Sequence, residues 1–118
     1  MSRAAVTDSE RRRDLRKSVA WRARIALGTG QFADAKIVDV AMGGCALTCQ
    51  HTLHQGANLE LQIAAPDPHD HAKITPLRLL CEVAYVSMGS HGTRVGVQFL
   101  KLDGPAKNLI EAWVKMAS

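Results

Sequence analysis

From Val19 onward the chain alternates with a period of two. Val19, Trp21, Ala23, Ile25 and Leu27 share one side, while Arg22 and Arg24 fall on the other, the pattern of a half-buried β-strand. Gly28-Thr29-Gly30 reads as a turn, and a second strand runs over residues 31–40 until Gly43-Gly44 interrupts it. Residues 45–49 resume strand character, and Gln55-Gly56 marks the next break. Residues 58–64 alternate through Leu59, Leu61 and Ile63. Residues 77–86 do so through Leu77, Leu79, Cys81 and Val83, and residues 94–100 make a sixth strand. Proline and aspartate content makes residues 66–71 a loop, and residues 88–93, with two glycines, a turn. Six short strands joined by glycine turns predict a small antiparallel barrel or sandwich.

At the C-terminus the period changes. Leu109, Ile110, Trp113 and Met116 form the apolar stripe of an amphipathic helix. Asp103 or Gly104 can cap its start, and Pro105 is tolerated in the first turn, where its missing N–H has no intrahelical partner anyway. Lys115 suits the negative end of the helix dipole. The helix is expected to cover one open side of the barrel, with Trp113 as anchor. Residues 1–18 lack apolar periodicity and read as a flexible arm with room for a helical turn over residues 9–16. The expected organisation is therefore an arm (1–18), a mainly β barrel (19–102) and a C-terminal helix (103–118).

A length of 118 residues suits one domain, and Met1 is read as the start of a complete, free-standing protein. No apolar run approaches the roughly 20 residues that span a bilayer, and the N-terminus lacks the apolar stretch of a signal peptide. A cytoplasmic protein without membrane insertion is expected. The net charge of +4 is unevenly spread. Residues 1–24 hold eight Lys or Arg against three acidic residues, and the remainder is close to neutral. Such local excess is the footprint of an anionic partner.

Cys45 and Cys49, four apart on one strand, lie about 13 Å apart by strand rise, too far for a disulfide. With Cys81 they read as buried, reduced, small hydrophobes. His69, Asp70 and His71, and His51 with His54, have no matching second set at a metal-site spacing, so no metal is assigned. Neither a phosphate-binding G-x-x-x-x-G-K-[S/T], a G-x-S-x-G elbow nor an H-E-x-x-H occurs, and Ser87 and Ser90 have no evident base. An enzyme is not expected, nor a cofactor.

The candidate chemistry lies in two segments. Arg11, Arg12, Arg13 and Arg16 form a cluster in which Arg12 and Arg16 are spaced R-x-x-x-R. A guanidinium fork holds a phosphate or the O6/N7 edge of a guanine through two parallel hydrogen bonds. Further on, Asp39-Val40-Ala41-Met42-Gly43-Gly44 supplies an acceptor and two glycines able to take positive φ and admit a ligand to the backbone.

Together these segments resemble the bipartite signature of PilZ domains, bacterial cyclic di-GMP receptors: R-x-x-x-R followed by [D/N]-x-S-x-x-G. Ala41 stands where that family usually has serine. Val95-Gly96-Val97-Gln98-Phe99 is similar to the family's final strand, and the likeness covers about residues 10–100. The resemblance implies a six-stranded β-barrel that binds cyclic di-GMP, often as an intercalated dimer. It makes Arg12 and Arg16 the clamp, with Arg11 and Arg13 as helpers. Asp39 would accept from guanine N–H donors or hold a clamp arginine, and Gly44, beside Gly43, would admit the ligand. Losing one hydroxyl at Ala41 costs about 0.5 to 1.5 kcal/mol, tenfold or less in affinity. The resulting expectation is a receptor whose arm orders on the nucleotide and signals to a downstream protein not identifiable from sequence. The alternative is a PilZ-like adaptor, in type IV pilus or motility control, that has lost the nucleotide. A third reading, a barrel for single-stranded nucleic acid, is disfavoured because Trp21, Phe99 and Trp113 are all claimed by core patterns.

Overall fold

The alternating segments pair edge to edge until no edge is left. In the computed structural model, which describes residues 15–90 and 92–117, six strands form: β1 (Lys17–Gly28), β2 (Gln31–Val40), β3 (Gly44–Cys49), β4 (Asn58–Pro66), β5 (Ile74–Gly89) and β6 (Gly92–Phe99). They close into a barrel in the order β1-β2-β3-β6-β5-β4, every neighbour antiparallel. Closure removes the exposed N–H and C=O rows that an open sheet would present. This is the mainly β, six-stranded barrel with a C-terminal helix that the sequence predicts.

Inward positions of each strand meet in one core. Trp21 and Ile25 of β1, Ile37 of β2, Leu47 of β3, Leu61 of β4, Cys81 of β5 and Val95 of β6 are all buried. Helix α1 (Gly104–Val114), followed by a short 3-10 turn (Lys115–Ala117), adds Ile110, Trp113 and Val114 to that core. The Trp113 ring meets Trp21 edge to face at 5.4 Å, and its Nε1 donates to the Pro66 carbonyl at 2.7 Å. An aromatic pair of this kind adds about 0.5 to 1.5 kcal/mol beyond its buried area. His71, in the loop after β4, also stacks on Trp113 with centroids 5.4 Å apart. No described helix is long and apolar enough to cross a membrane.

Several local expectations change. Leu27 is 40% exposed instead of inward, because an irregularity between Ala26 and Gly28 takes the hairpin end out of phase. Met116 lies beyond the end of α1 and is exposed, and Val114 takes the buried place instead. Asp103 occupies the N-cap position but its side chain makes no capping bond, and Lys115 sits at the C-cap. Strands β5 and β6 continue through most of the expected 88–93 turn. Strand β1 begins at Lys17, inside the stretch assigned to the arm. The expected arm flexibility over residues 1–14 lies outside the described residues.

Candidate functional site

Asp39 owes its position to a break in the rhythm of β2. Ile37 and Val40 are both fully buried, three residues apart, whereas strict alternation returns a side chain to the core every second residue. The pairing shows how: Ile37 faces Leu47, but Asp39 faces Ala46, so Val38 is an extra residue on β2. A bulge of this kind re-aims the residues after it. It turns Asp39 outward, with its side chain 15% exposed.

There the Asp39 carboxylate collects two guanidinium groups. Its Oδ1 accepts from Arg16 Nη1 at 2.7 Å and its Oδ2 accepts from Arg94 Nη2 at 3.1 Å. Arg16 lies 23 residues before Asp39 and Arg94 lies 55 residues after it. The two arginines are about half exposed, at 53% and 48%. Exposed pairs of this sort contribute about 0.2 to 1 kcal/mol each, so the arrangement places charge more than it stabilises the fold. Both arginines keep further N–H donors for a ligand.

The turn after Asp39 is fixed by its own hydrogen bonds. Ala41 N–H donates to the Gly44 carbonyl at 2.8 Å, and Phe99 N–H donates to the Gly43 carbonyl at 2.9 Å, tying the turn to the end of β6. Ala41 is buried. The expected positive φ at Gly43 and Gly44 is not found: the glycines with positive φ are Gly30, Gly56, Gly92 and Gly104. Gly44 has another reason to be glycine. It pairs with Gln98, and a Cβ there would collide with the Val97 carbonyl oxygen. The close approach of β3 to β6 requires it.

A row of paired residues crosses the outer face at this height: Tyr85, Gly96, Ala46, Asp39 and Ser18. Gly96 and Ala46 make a low floor, and the Tyr85 ring covers Gly96. A second bulge, at Ala84, places Tyr85 there.

The structure thus brings together Arg16, Asp39, Ala41, Gly43 and Gly44 of the predicted set. Arg11, Arg12 and Arg13 lie outside the described residues. Arg94 and Tyr85 were missed. Alternation in Val95-Gly96-Val97 puts Arg94 on the outer face, but only the register of β3 on β6 brings it to Asp39. Arg24, part of the same basic segment, makes its contacts away from Asp39. It donates to Gln62 at 2.8 Å and covers the Phe32 ring at 3.9 Å, while Gln62 and Arg78 both donate to Glu60.

Cys45, Cys49 and Cys81 are free and buried. Burial holds the Cys45 thiol far above its ordinary range, with further upward pushes from Cys81 and Asp39, and raises Cys81 to about 12. Such thiols are protonated and poor nucleophiles. No group of three His, Cys, Asp or Glu among the described residues is placed to hold a metal ion.

Comparison with known proteins gives the architecture its context. Among solved structures the chain resembles the inhibitor of motility MotI/DgrA of Bacillus subtilis, with a TM-score of 0.72 and 12% identity over 86% of this chain and 49% of that one. It also resembles YcgR of Escherichia coli in complex with c-di-GMP, at 0.69 and 13% over 91% of this chain and 46% of that one. The isolated PilZ domain of YcgR with c-di-GMP matches at 0.68 and 12%, covering 91% of both chains. This chain therefore spans about half the length of those MotI and YcgR chains. At these identities the likeness is one of fold. No curated protein sequence matches significantly. The sequence model of the PilZ domain matches residues 10–116, nearly the whole chain. The protein belongs to the PilZ domain family.

Proposed function

We propose that this protein is a cytoplasmic receptor for cyclic di-GMP and not an enzyme. The observation that carries the reading is the Arg16–Asp39 ion pair at 2.7 Å, which joins the two halves of the bipartite signature on one face of the barrel. In this reading Arg12 and Arg16 grip phosphate and guanine edges, with Arg11 and Arg13 assisting. Asp39 holds Arg16 or accepts from guanine N–H donors. Ala41, Gly43 and Gly44 line the opposite side, and the Tyr85 ring offers a flat face for a base. Arg16 and the start of β1 already lie on the barrel; the preceding arm, from residue 10, folds onto it with the nucleotide, and the resulting surface engages a downstream protein. The ligand favours that closed arrangement only through contacts made when closed, and the clamp arginines supply them. Saturation with cyclic di-GMP is expected to shift the NMR resonances of residues 10–18 and 39–44 while those of α1 stay in place. Unshifted resonances in both segments would remove the reading.

Ala41 favours a second reading, a PilZ adaptor that works through protein contacts without the nucleotide. Its side chain is a buried methyl where the family pattern has a hydroxyl. A wild-type titration that stays flat at micromolar cyclic di-GMP selects this alternative.

A further inference from the structure

The outer face next to Asp39 carries a second line of residues that neither signature segment contains. Cross-strand pairing aligns Arg94 of β6 with Thr48 of β3, Thr48 with Lys36 of β2, and Lys36 with Arg22 of β1. All four side chains stand on the outside of the barrel, because directly paired antiparallel residues share a face. Three of the four are cationic and exposed. Lys36 and Arg22 are directly opposite one another, an arrangement of like charges that destabilises a sheet. Neither forms an ion pair among the described residues, although Arg24 and Arg78, which line a second hollow together with Arg22, are both engaged in hydrogen bonds. The surface is also hollowed there: a depression of about 310 Å³ is lined by Ala20, Arg22, Asp34 and Lys36, among others. Asp34 is the one acidic side chain lining that hollow, and it forms no ion pair with either cation within 4.0 Å.

This row is joined to the site already described. Arg94 donates one Nη2 hydrogen bond to Asp39 at 3.1 Å, so the same carboxylate that fixes Arg16 also fixes the end of the row. Asp39 neutralises one charge between Arg16 and Arg94, and Asp34 is the one carboxylate in the hollow beside Lys36 and Arg22, so the row keeps a net positive charge. A phosphodiester anion laid across Thr48 would relieve that repulsion and receive donors from rigid strands on both sides. Strand-borne donors lose less freedom on binding than donors on an arm.

We infer that Arg94, Lys36 and Arg22 form a phosphate-binding row that extends the dinucleotide site across β6, β3, β2 and β1. The inference rests on the receptor reading and adds a subsite to it. The row takes the phosphates of the bound cyclic dinucleotide, and Arg94 contacts ligand while remaining on Asp39.

The test is calorimetric titration of the full-length protein with cyclic di-GMP at low and high salt. The variants are Arg94→Ala, Lys36→Ala and Arg22→Ala, with Lys107→Ala as a control that removes the same charge from the exposed side of helix α1. Arg94→Ala is expected to weaken binding on the order of tenfold, the effect of one charge-assisted contact. Lys36→Ala and Arg22→Ala should weaken it several-fold, and all three should flatten the salt dependence, while Lys107→Ala stays within about twofold of wild type. Because the row lies outside the core, unchanged melting temperatures will show that the fold is intact. Wild-type binding with unaltered affinity in the three row variants, or with an equal loss in Lys107→Ala, overturns the row and leaves the receptor reading standing. A flat wild-type titration overturns both.

Discussion

The ring of Tyr85 fills the space that a side chain on Gly96 would need, directly across the β5–β6 pairing. Gly96→Ala therefore forces the ring away from the outer face. Tyr85 is 43% exposed, so the ring can swing into solvent, and the stability cost is expected near the low end of the about 1 to 3 kcal/mol of overpacking. If the ring stacks on a base, Gly96→Ala and Tyr85→Ala will both weaken cyclic di-GMP binding, by about tenfold for one lost stacking contact. Equilibrium unfolding and titration of the two variants check this, and unaltered affinity in both removes Tyr85 from the site.

Ala41→Ser restores the hydroxyl of the family pattern at a buried position. Without ligand, the new group displaces a buried methyl and is expected to cost about 1 kcal/mol if it stays unpaired. With ligand, it gains a partner and affinity rises by about tenfold at most. The variant should thus melt lower than wild type when empty and show a larger stabilisation by cyclic di-GMP. An equal ligand-induced shift in both proteins would mean that position 41 does not meet the nucleotide.

Six strands and their core faces were legible because period-two alternation survives in most of each strand. It failed where an extra residue enters. Counting in twos from Leu77 puts Tyr85 on the core face, and the bulge at Ala84 reverses it. Counting in twos from Ile37 puts Asp39 in the core, and the bulge at Val38 turns it out. The signature segment identified Asp39 where the alternation would have buried it. Arg94 was invisible for a different reason: its partner lies 55 residues away, and nothing local fixes the register that joins them. Gly44 was legible as an important glycine but with the wrong cause, since its need arises from the approach of β6.

Trp113 fastens α1 to the barrel through Trp21 and the Pro66 carbonyl. Trp113→Phe keeps an aromatic ring but leaves that carbonyl without its donor, a loss of about 1 to 3 kcal/mol. Trp113→Ala empties the site and is expected to cost about 3 to 5 kcal/mol. Urea unfolding should rank them in that order. Equal stability of Trp113→Phe and wild type would show that the indole N–H contributes nothing.

The buried thiols predict how stability responds to alkali. In the unfolded chain Cys45 and Cys81 ionise near the ordinary value of 9.0, whereas the folded protein holds both well above it, Cys81 at about 12. The folded state binds more protons in that interval, so the stabilisation is fully present below about pH 9 and lost as pH rises. The slope approaches about 1.4 kcal/mol per pH unit for each thiol. Unfolding at pH 8 and pH 10 should show a smaller loss for a Cys81→Ala variant than for wild type. Identical losses would mean that Cys81 is accessible to solvent in the folded protein.

The receptor reading depends on the meeting of Arg16 and Asp39 across the two signature segments. Isothermal titration of cyclic di-GMP into wild-type protein, Arg12→Ala and Arg16→Ala addresses it. Wild type is expected to bind at micromolar concentration or tighter. Each variant should keep the wild-type melting temperature within a few degrees and lose at least tenfold in affinity. Binding of undiminished strength in both arginine variants would contradict the clamp.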